Sequence, residues 1–388
     1  MKLLILDVET TGATNGTFGN PFTISNKLCC IGSYSDDSYY HDNIEYNEKP
    51  YGRGIASISS RITPGSFLVG FNIKFDLHWL RRYGINFEQC RVWDCQLVEF
   101  ILNNQSTPYP SLEGVSIGYN LGNKYDVVRK EYWEKGIDTD KVPEPILREY
   151  VKQDVMLTYE IYLRQLEEVK KCSKEKQTLM RLSNQDLLVL QEMEFNGMPY
   201  NLSKSLEKAS ELGIQITELD KNLVDLTGLD FVNFNSGDAL SCILYGGTLK
   251  ENYRESFVFT YKDGRTKQKE RWAIREHILP TLVEPLPKTK LKKEGFYKTD
   301  EGTLRKLKGN KKVQKLIKLL LERAKLEKLK STYYEGFPKL HTEMEWEPDF
   351  LHGQLIQCNA ATGRLSSSKP NQQNIPEEVR ALIKTRYP

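Results

Sequence analysis

The sequence contains no apolar run approaching the ~18 residues that a membrane-spanning helix requires, and nothing in it predicts a bilayer segment. It lacks the basic, apolar and small-residue order of a secretory leader, because its first residues are strand-like and already acidic. Its cysteines (Cys29, Cys30, Cys90, Cys95, Cys172, Cys242 and Cys358) show none of the paired spacings of a zinc site. An odd, scattered set also makes no disulfide framework, so these thiols are expected to be reduced and structural, as in a cytoplasmic protein. Internal repeats and low-complexity tracts are absent too. With 388 residues, 39% hydrophobic and 28% charged, the chain is expected to form two or three globular domains.

Its charge is unevenly placed. Residues 1–160 carry 16 Lys and Arg against 21 Asp and Glu, a net of −5, whereas the remainder carries 39 against 31, a net of +8. Within 288–330 there are 16 basic and 5 acidic residues, a net of +11, a strip suited to a polyanion.

Residues 2–9 are nearly continuous β-compatible apolar residues ending in Asp7 and Glu9, the pattern of a buried strand that opens into a site. Further strands are expected at 28–35, around Tyr39 and Tyr40, and at 67–72, with helices over 77–83, 92–102 and 146–169. Such alternation indicates an α/β domain. Beyond about residue 170 the pattern becomes helical, over 171–195, 203–226 and 311–334, the last with Val313, Leu316, Ile317, Leu320, Ala324 and Leu329 at helical spacing. Lys262-Asp263-Gly264 between β-like segments predicts a hairpin within 257–272. The final 351–388, rich in Ser, Asn, Gln and Pro, reads as extended or loop.

Asp7 and Glu9, two residues apart on a strand, point to one face and can share a cation. Burying two carboxylates at a strand end is costly unless they are paired, solvated or metal-bound. Asp76 ends the Asn72-Ile73-Lys74-Phe75-Asp76 segment and alone reads as a helix N-cap. Tyr150 and Asp154, four apart, share a helix face. Asp94 reads as a cap or packing residue.

Taken together, Asp7-Val8-Glu9-Thr10-Thr11-Gly12, Asn72 through Asp76, and Tyr150-x-x-x-Asp154 resemble the three motifs of the tyrosine-containing branch of the DEDD exonuclease superfamily. The resemblance implies a ribonuclease H-like mixed-sheet domain over 1–168 and 3′-to-5′ exonuclease chemistry with two Mg²⁺ or Mn²⁺ ions. Four carboxylates balance two dications that clamp the attacking and leaving oxygens of a phosphodiester. It further implies that Asp7 bridges both ions, Glu9 and Asp154 hold the hydroxide-generating one, and Asp76 serves the second directly or through water. Tyr150 would orient the attacking water. Thr10, Thr11 and Gly12 would lie beside the terminal nucleotide, and Asn72 near the scissile strand.

Downstream, the segment from Gln191 to Met198, Asn233-Phe234-Asn235-Ser236, and the segment from Arg323 to Tyr333 resemble stretches of family A DNA polymerases. So, most specifically, does His352 to Pro376, with Ala361-Thr362-Gly363-Arg364-Leu365-Ser366-Ser367-Ser368 and Pro370-Asn371-Gln372-Gln373-Asn374-Ile375-Pro376. This resemblance implies a mostly helical thumb over 169–350, with an inserted hairpin around 251–293, and the start of a palm over 351–388. Implied partners are single-stranded DNA 3′ ends and primer-template duplex, with Arg323, Lys328, Arg364, Asn371, Gln373 and Asn374 as DNA contacts. No small-molecule cofactor is implied. The palm aspartates and the fingers helix of that family have no counterpart in these 388 residues. Primer extension is therefore not expected from these residues alone, which would be one polypeptide of a split bacteriophage enzyme with a separate palm and fingers chain, or a truncated product; the alternative functions are a processing exoribonuclease and a non-catalytic DNA clamp.

Overall fold

The structure, a computed structural model, describes residues 2–46, 49–50 and 52–385. It divides into two compact units, Met1–Leu202 with Phe337–Pro388, and Ser203–Gly336.

The first unit is built on a five-stranded mixed sheet. Its strands are β1 (Leu3–Thr10), β2 (Leu28–Ser35), β3 (Ser38–Asn43), β4 (Phe67–Gly70) and β5 (Arg91–Asp94), in the spatial order β3-β2-β1-β4-β5. Strand β1 is central, antiparallel to β2 and parallel to β4, while β5 pairs in parallel outside β4. A strand covered on both faces needs apolar residues at consecutive positions rather than alternation. Residues 3–8 supply them, apart from Asp7.

Alternation then decides which helix each residue of β1 meets. Leu4, Leu6 and Val8 pack with the apolar residues of α1 (Ile73–Arg82), α2 (Cys95–Leu102) and α4 (Lys174–Asn196). Ile5 lies on the other side with Leu147, Val151 and Val155 of α3 (Glu144–Lys171). Asp7 and Glu9 continue the Ile5 side and so look toward α3. That helix has Pro145 in its first turn, where no amide hydrogen is needed, and Lys170 and Lys171 at its carbonyl end.

Two expected helices differ in extent. The one expected over 77–83 spans Ile73–Arg82, starting after Asn72 in a left-handed conformation (φ 62°), so Asp76 is inside the first turn and caps nothing. The one expected over 92–102 is a strand, β5, followed by α2. The change occurs at Asp94, whose carboxylate accepts the amides of Gln96 (2.9 Å) and Leu97 (3.3 Å) and so caps α2 as expected.

The compact units part at 202/203 and 336/337 rather than at 168/169 and 350/351. Helix α4 and residues 337–350 fold with the sheet, since Met180, Leu187 and Leu188 of α4 complete its core. The segment beyond 350 is more ordered than a loop: Gln354–Ile356 pairs with Ser366–Ser368, Phe350–Leu351 with Met198–Pro199, and Glu377–Arg380 is helical. Buried Glu194 holds it from α4, accepting Lys74 Nζ (2.6 Å), His78 Nε2 (2.7 Å) and the Leu355 amide, while its own carbonyl contacts His352 Nδ1 at 3.0 Å.

The second unit contains most of α5 (Leu202–Thr227), a hairpin of β6 (Gly247–Thr260) and β7 (Thr266–Leu279), and α6 (Lys311–Lys328), prolonged by a π-helical turn over Leu329–Tyr334. The hairpin is paired along all 14 residues of each strand, longer than the expected 257–272. Val313, Leu316, Ile317 and Leu320 enter the core with Leu223, Phe234, Ile243 and Leu244. Ala324 is exposed, because the inner position of that turn belongs to Arg323. Among the described residues, no helix is long and apolar enough to cross a membrane.

Candidate metal centre

Three carboxylates meet where β1 passes α3. Single oxygens of Asp7, Glu9 and Asp154 lie within 4.8 Å of one another. Asp7 and Glu9 are brought together by strand alternation, and Asp154 reaches them from α3 because that helix crosses β1 and β2 closely. The close approach occurs at Gly32, paired with Asp7 across the β1–β2 ladder. A methyl group there would overlap Val151 Cγ1 and lie 3.1 Å from Val155 Cγ2.

Asp76 is placed differently. It is 3% exposed and accepts the Val8 amide at 2.9 Å, which ties the first turn of α1 to the middle of β1. It lies outside the 4.8 Å group, though near enough for the charge of Asp7 to raise its pKa.

Asp7, Glu9, Asp76 and Asp154 are each held above their ordinary range, chiefly by desolvation. Asp7 is pushed up to about 7, by burial and then by the charge of Asp154, with Lys124 opposing. Glu9 is raised well above its usual value by burial and by Asp7, and Asp154 by burial against Lys124. Two oxygens, Asp7 Oδ2 and Asp154 Oδ1, are buried without a hydrogen-bond partner among the described residues. Buried carboxylate oxygens are not normally left so, and hard oxygen donors at this spacing fit a hard divalent cation.

Tyr150 is 3% exposed, one helical turn before Asp154, and its hydroxyl helps to lower that acid's pKa. Burial and the surrounding acids push the phenol far above its usual value, so it stays protonated. Thr10 and Thr11 are buried just beyond the site, and Thr11 Oγ1 accepts the Lys27 amide at 2.7 Å. Gly12 has φ +97°, and its amide donates to Asp138 Oδ2 (2.8 Å). Asn72 is exposed, with its amide on Asp94 Oδ1 at 3.0 Å.

Lys124 and Asp138 join the site without having stood out in the sequence. Lys124 Nζ is 2.5 Å from Asp154 Oδ2 and 4.9 Å from the centroid of the Tyr150 ring. Both residues lie in irregular backbone with no motif around them, so nothing local signals their place.

Among the expected DNA contacts, Lys328, Arg364, Asn371, Gln373 and Asn374 are exposed. Gln373 is in part internally engaged, its side-chain amide donating to the Leu365 carbonyl at 3.0 Å. Arg323 is not available as expected. It is 6% exposed, with Nε 2.5 Å from Asp220 Oδ1 and Nη1 2.6 Å from Asn235 Oδ1, because its helix phase points it into the second unit. Of the 16 basic residues of 288–330, all but Arg323 and Lys330 are exposed.

Comparison with known proteins points the same way as the polymerase-like segments. Residues 273–387 match DNA polymerase family A. The chain is similar to bacterial DNA polymerase I: it is 27% identical to that of Synechocystis sp. over 309 residues, which is 79% of this chain and 26% of the relative. With the Bacillus caldotenax enzyme the identity is 26% over 307 residues, 78% of this chain and 29% of the relative. A 101-residue stretch reaches 40% identity with the thermostable DNA polymerase I of Thermus filiformis, covering 26% and 11% of the two chains. The fold is similar to that of the POL domain of Pol1 from M. smegmatis, solved with DNA primer-template and dNTP. The TM-score is 0.66 and the identity 17%, over 98% of this chain and 53% of that one. The chain thus spans between a quarter and a third of the full length of the first two relatives.

Proposed function

We propose that this chain is the exonuclease, thumb and initial palm portion of a family A DNA polymerase, and that its own chemistry is 3′-to-5′ hydrolysis of DNA ends. The observation that carries this reading is the convergence of Asp7, Glu9 and Asp154 within 4.8 Å, with two buried oxygens that have no hydrogen-bond partner among the described residues. The mixed sheet with β1 at its centre supports a ribonuclease H-like assignment for the first unit.

Asp7, Glu9 and Asp154, with Asp76 behind them, would hold Mg²⁺ or Mn²⁺, two ions in all, which when bound supply an activated water and neutralise phosphoryl charge. The remaining work belongs to the chain itself. Tyr150, one helical turn before Asp154, would present a hydroxyl that orients the attacking water. The end of β1 and the turn after it, fixed by Asp138 on the Gly12 amide, would bring Thr10, Thr11 and Gly12 against the terminal nucleotide. Asn72, fixed by Asp94, meets the scissile strand.

The second unit would grip primer-template duplex through the exposed lysines of 288–330, Lys328 included. Such phosphate contacts confer affinity without reading sequence, as a polymerase requires. Arg364, Asn371, Gln373 and Asn374 would meet the nucleic-acid backbone at the start of the palm. Primer extension would require palm and fingers residues beyond these 388, on a longer chain or a second polypeptide.

The test is incubation of the purified chain with a 3′-recessed duplex bearing a mismatched end, beside a matched RNA, with Mg²⁺. Removal of nucleotides from the DNA 3′ end is the expected result. Preferential degradation of RNA would favour a processing ribonuclease, and binding without hydrolysis would leave a DNA clamp.

A further inference from the structure

Lys124 brings a positive charge into a cluster otherwise made of acids. Its side chain is 25% exposed, Nζ is 2.5 Å from Asp154 Oδ2, and it lies over the face of Tyr150 at 4.9 Å. Asp154 thereby has one oxygen held by an ammonium and the other, Oδ1, buried with no hydrogen-bond partner among the described residues. The backbone around Lys124 has no regular structure between Leu121 and Asp126.

Three carboxylates within 4.8 Å repel one another strongly at reduced dielectric. A cation beside them offsets that repulsion. A divalent ion bound by the same oxygens would offset it more completely and would repel the ammonium in turn. Because Lys124 lies on neither element, its long stem can move aside without displacing β1 or α3.

We propose that Lys124 is a resident counter-cation of the acid cluster, which holds Asp154 in place without metal and which an incoming divalent ion must displace. Lys124 therefore sets the metal concentration at which the site fills. This rests on the metal-site reading above but not on the identity of the substrate.

The test compares the full chain with Lys124→Met, which keeps the length of the side chain and removes its charge, and with Lys124→Arg, which keeps the charge. Mn²⁺ binding is measured by titration calorimetry at pH 8.5, and melting temperature with and without Mn²⁺. Lys124→Met is expected to bind Mn²⁺ several-fold more tightly, to melt lower than the parent without metal, and to recover most of that loss with saturating Mn²⁺. Lys124→Arg should behave like the parent. Unchanged or weaker Mn²⁺ affinity in Lys124→Met overturns the proposal, as does a melting loss that Mn²⁺ leaves intact, because a merely structural lysine would give that. Tighter binding by Lys124→Met in a chain that hydrolyses no DNA would uphold the counter-cation and remove the exonuclease. Absence of Mn²⁺ binding by both proteins would overturn both.

Discussion

Gly32 and Val151 are in such close contact that the glycine hydrogen occupies space no methyl group could share. Since Gly32 is the partner of Asp7 on β2, and Val151 lies on α3 between Tyr150 and Asp154, this contact sets how near the helix carboxylate comes to the strand carboxylates. Gly32→Ala should lift α3 from the sheet, at a cost of about 1–3 kcal/mol typical of overpacking. A lower melting temperature and loss of Mn²⁺ affinity are the expected results. Val151→Ala in the Gly32→Ala background should restore part of both; no recovery would mean that the contact does not control the site.

Removal of a single acid separates hydrolysis from DNA binding. Asp7→Ala or Asp154→Ala should reduce metal-dependent degradation of a DNA 3′ end by about 100-fold or more, since direct ligands matter at least as much as the outer partners of a metal site. Duplex affinity, measured by fluorescence anisotropy, should change less than about twofold. Equal hydrolysis rates in variant and parent would exclude these acids from the chemistry.

The raised acid pKa values make the protein's response to pH unusual. Asp7, ordinarily near 3.8, is pushed up to about 7 by burial and by Asp154, so between about pH 4 and pH 7 the folded chain keeps a proton that the unfolded chain has released. Stability from this group is thus fully present below about pH 4 and is lost as pH rises through 7. Glu9 and Asp76 shift in the same direction. Without metal, the melting temperature should fall across this window, and Asp7→Asn should flatten the fall. Mn²⁺ affinity should rise over the same interval, because ionised carboxylates are the ligands. A melting temperature that climbs from pH 5 to pH 7 in the parent, but not in Asp7→Asn, would contradict the burial argument.

Arg323 and its lysine neighbours should separate stability from DNA affinity. Arg323→Ala leaves Asp220 and Asn235 without their guanidinium, and a loss of about 1–3 kcal/mol of stability is expected, read from urea unfolding. Replacing exposed Lys315 and Lys318 by Ala should leave stability within about 0.5 kcal/mol. The same pair should weaken duplex binding and lower the slope of log affinity against log salt by about one for each DNA phosphate that is no longer neutralised. An unchanged slope would remove α6 from the DNA-binding surface.

Much of the first unit is legible without a structure, because its signals are local. The apolar run of β1, the span of β2 and the periodicity of α3 each reflect a side-chain pattern that water enforces on neighbouring residues. The placement of Asp7 beside Glu9, and of Tyr150 one turn from Asp154, follows from the repeat of a strand and of a helix. What the chain order cannot disclose depends on residues far apart in it. That Asp76 would spend its oxygen on the Val8 amide, that Arg323 would turn inward to Asp220, and that Glu194 would gather Lys74, His78 and Leu355 are outcomes of packing. Lys124 illustrates the difference most clearly: it lies in irregular backbone without any pattern, and only the fold brings its charge to Asp154, because electrostatic partners are chosen by distance in space and not by separation along the chain.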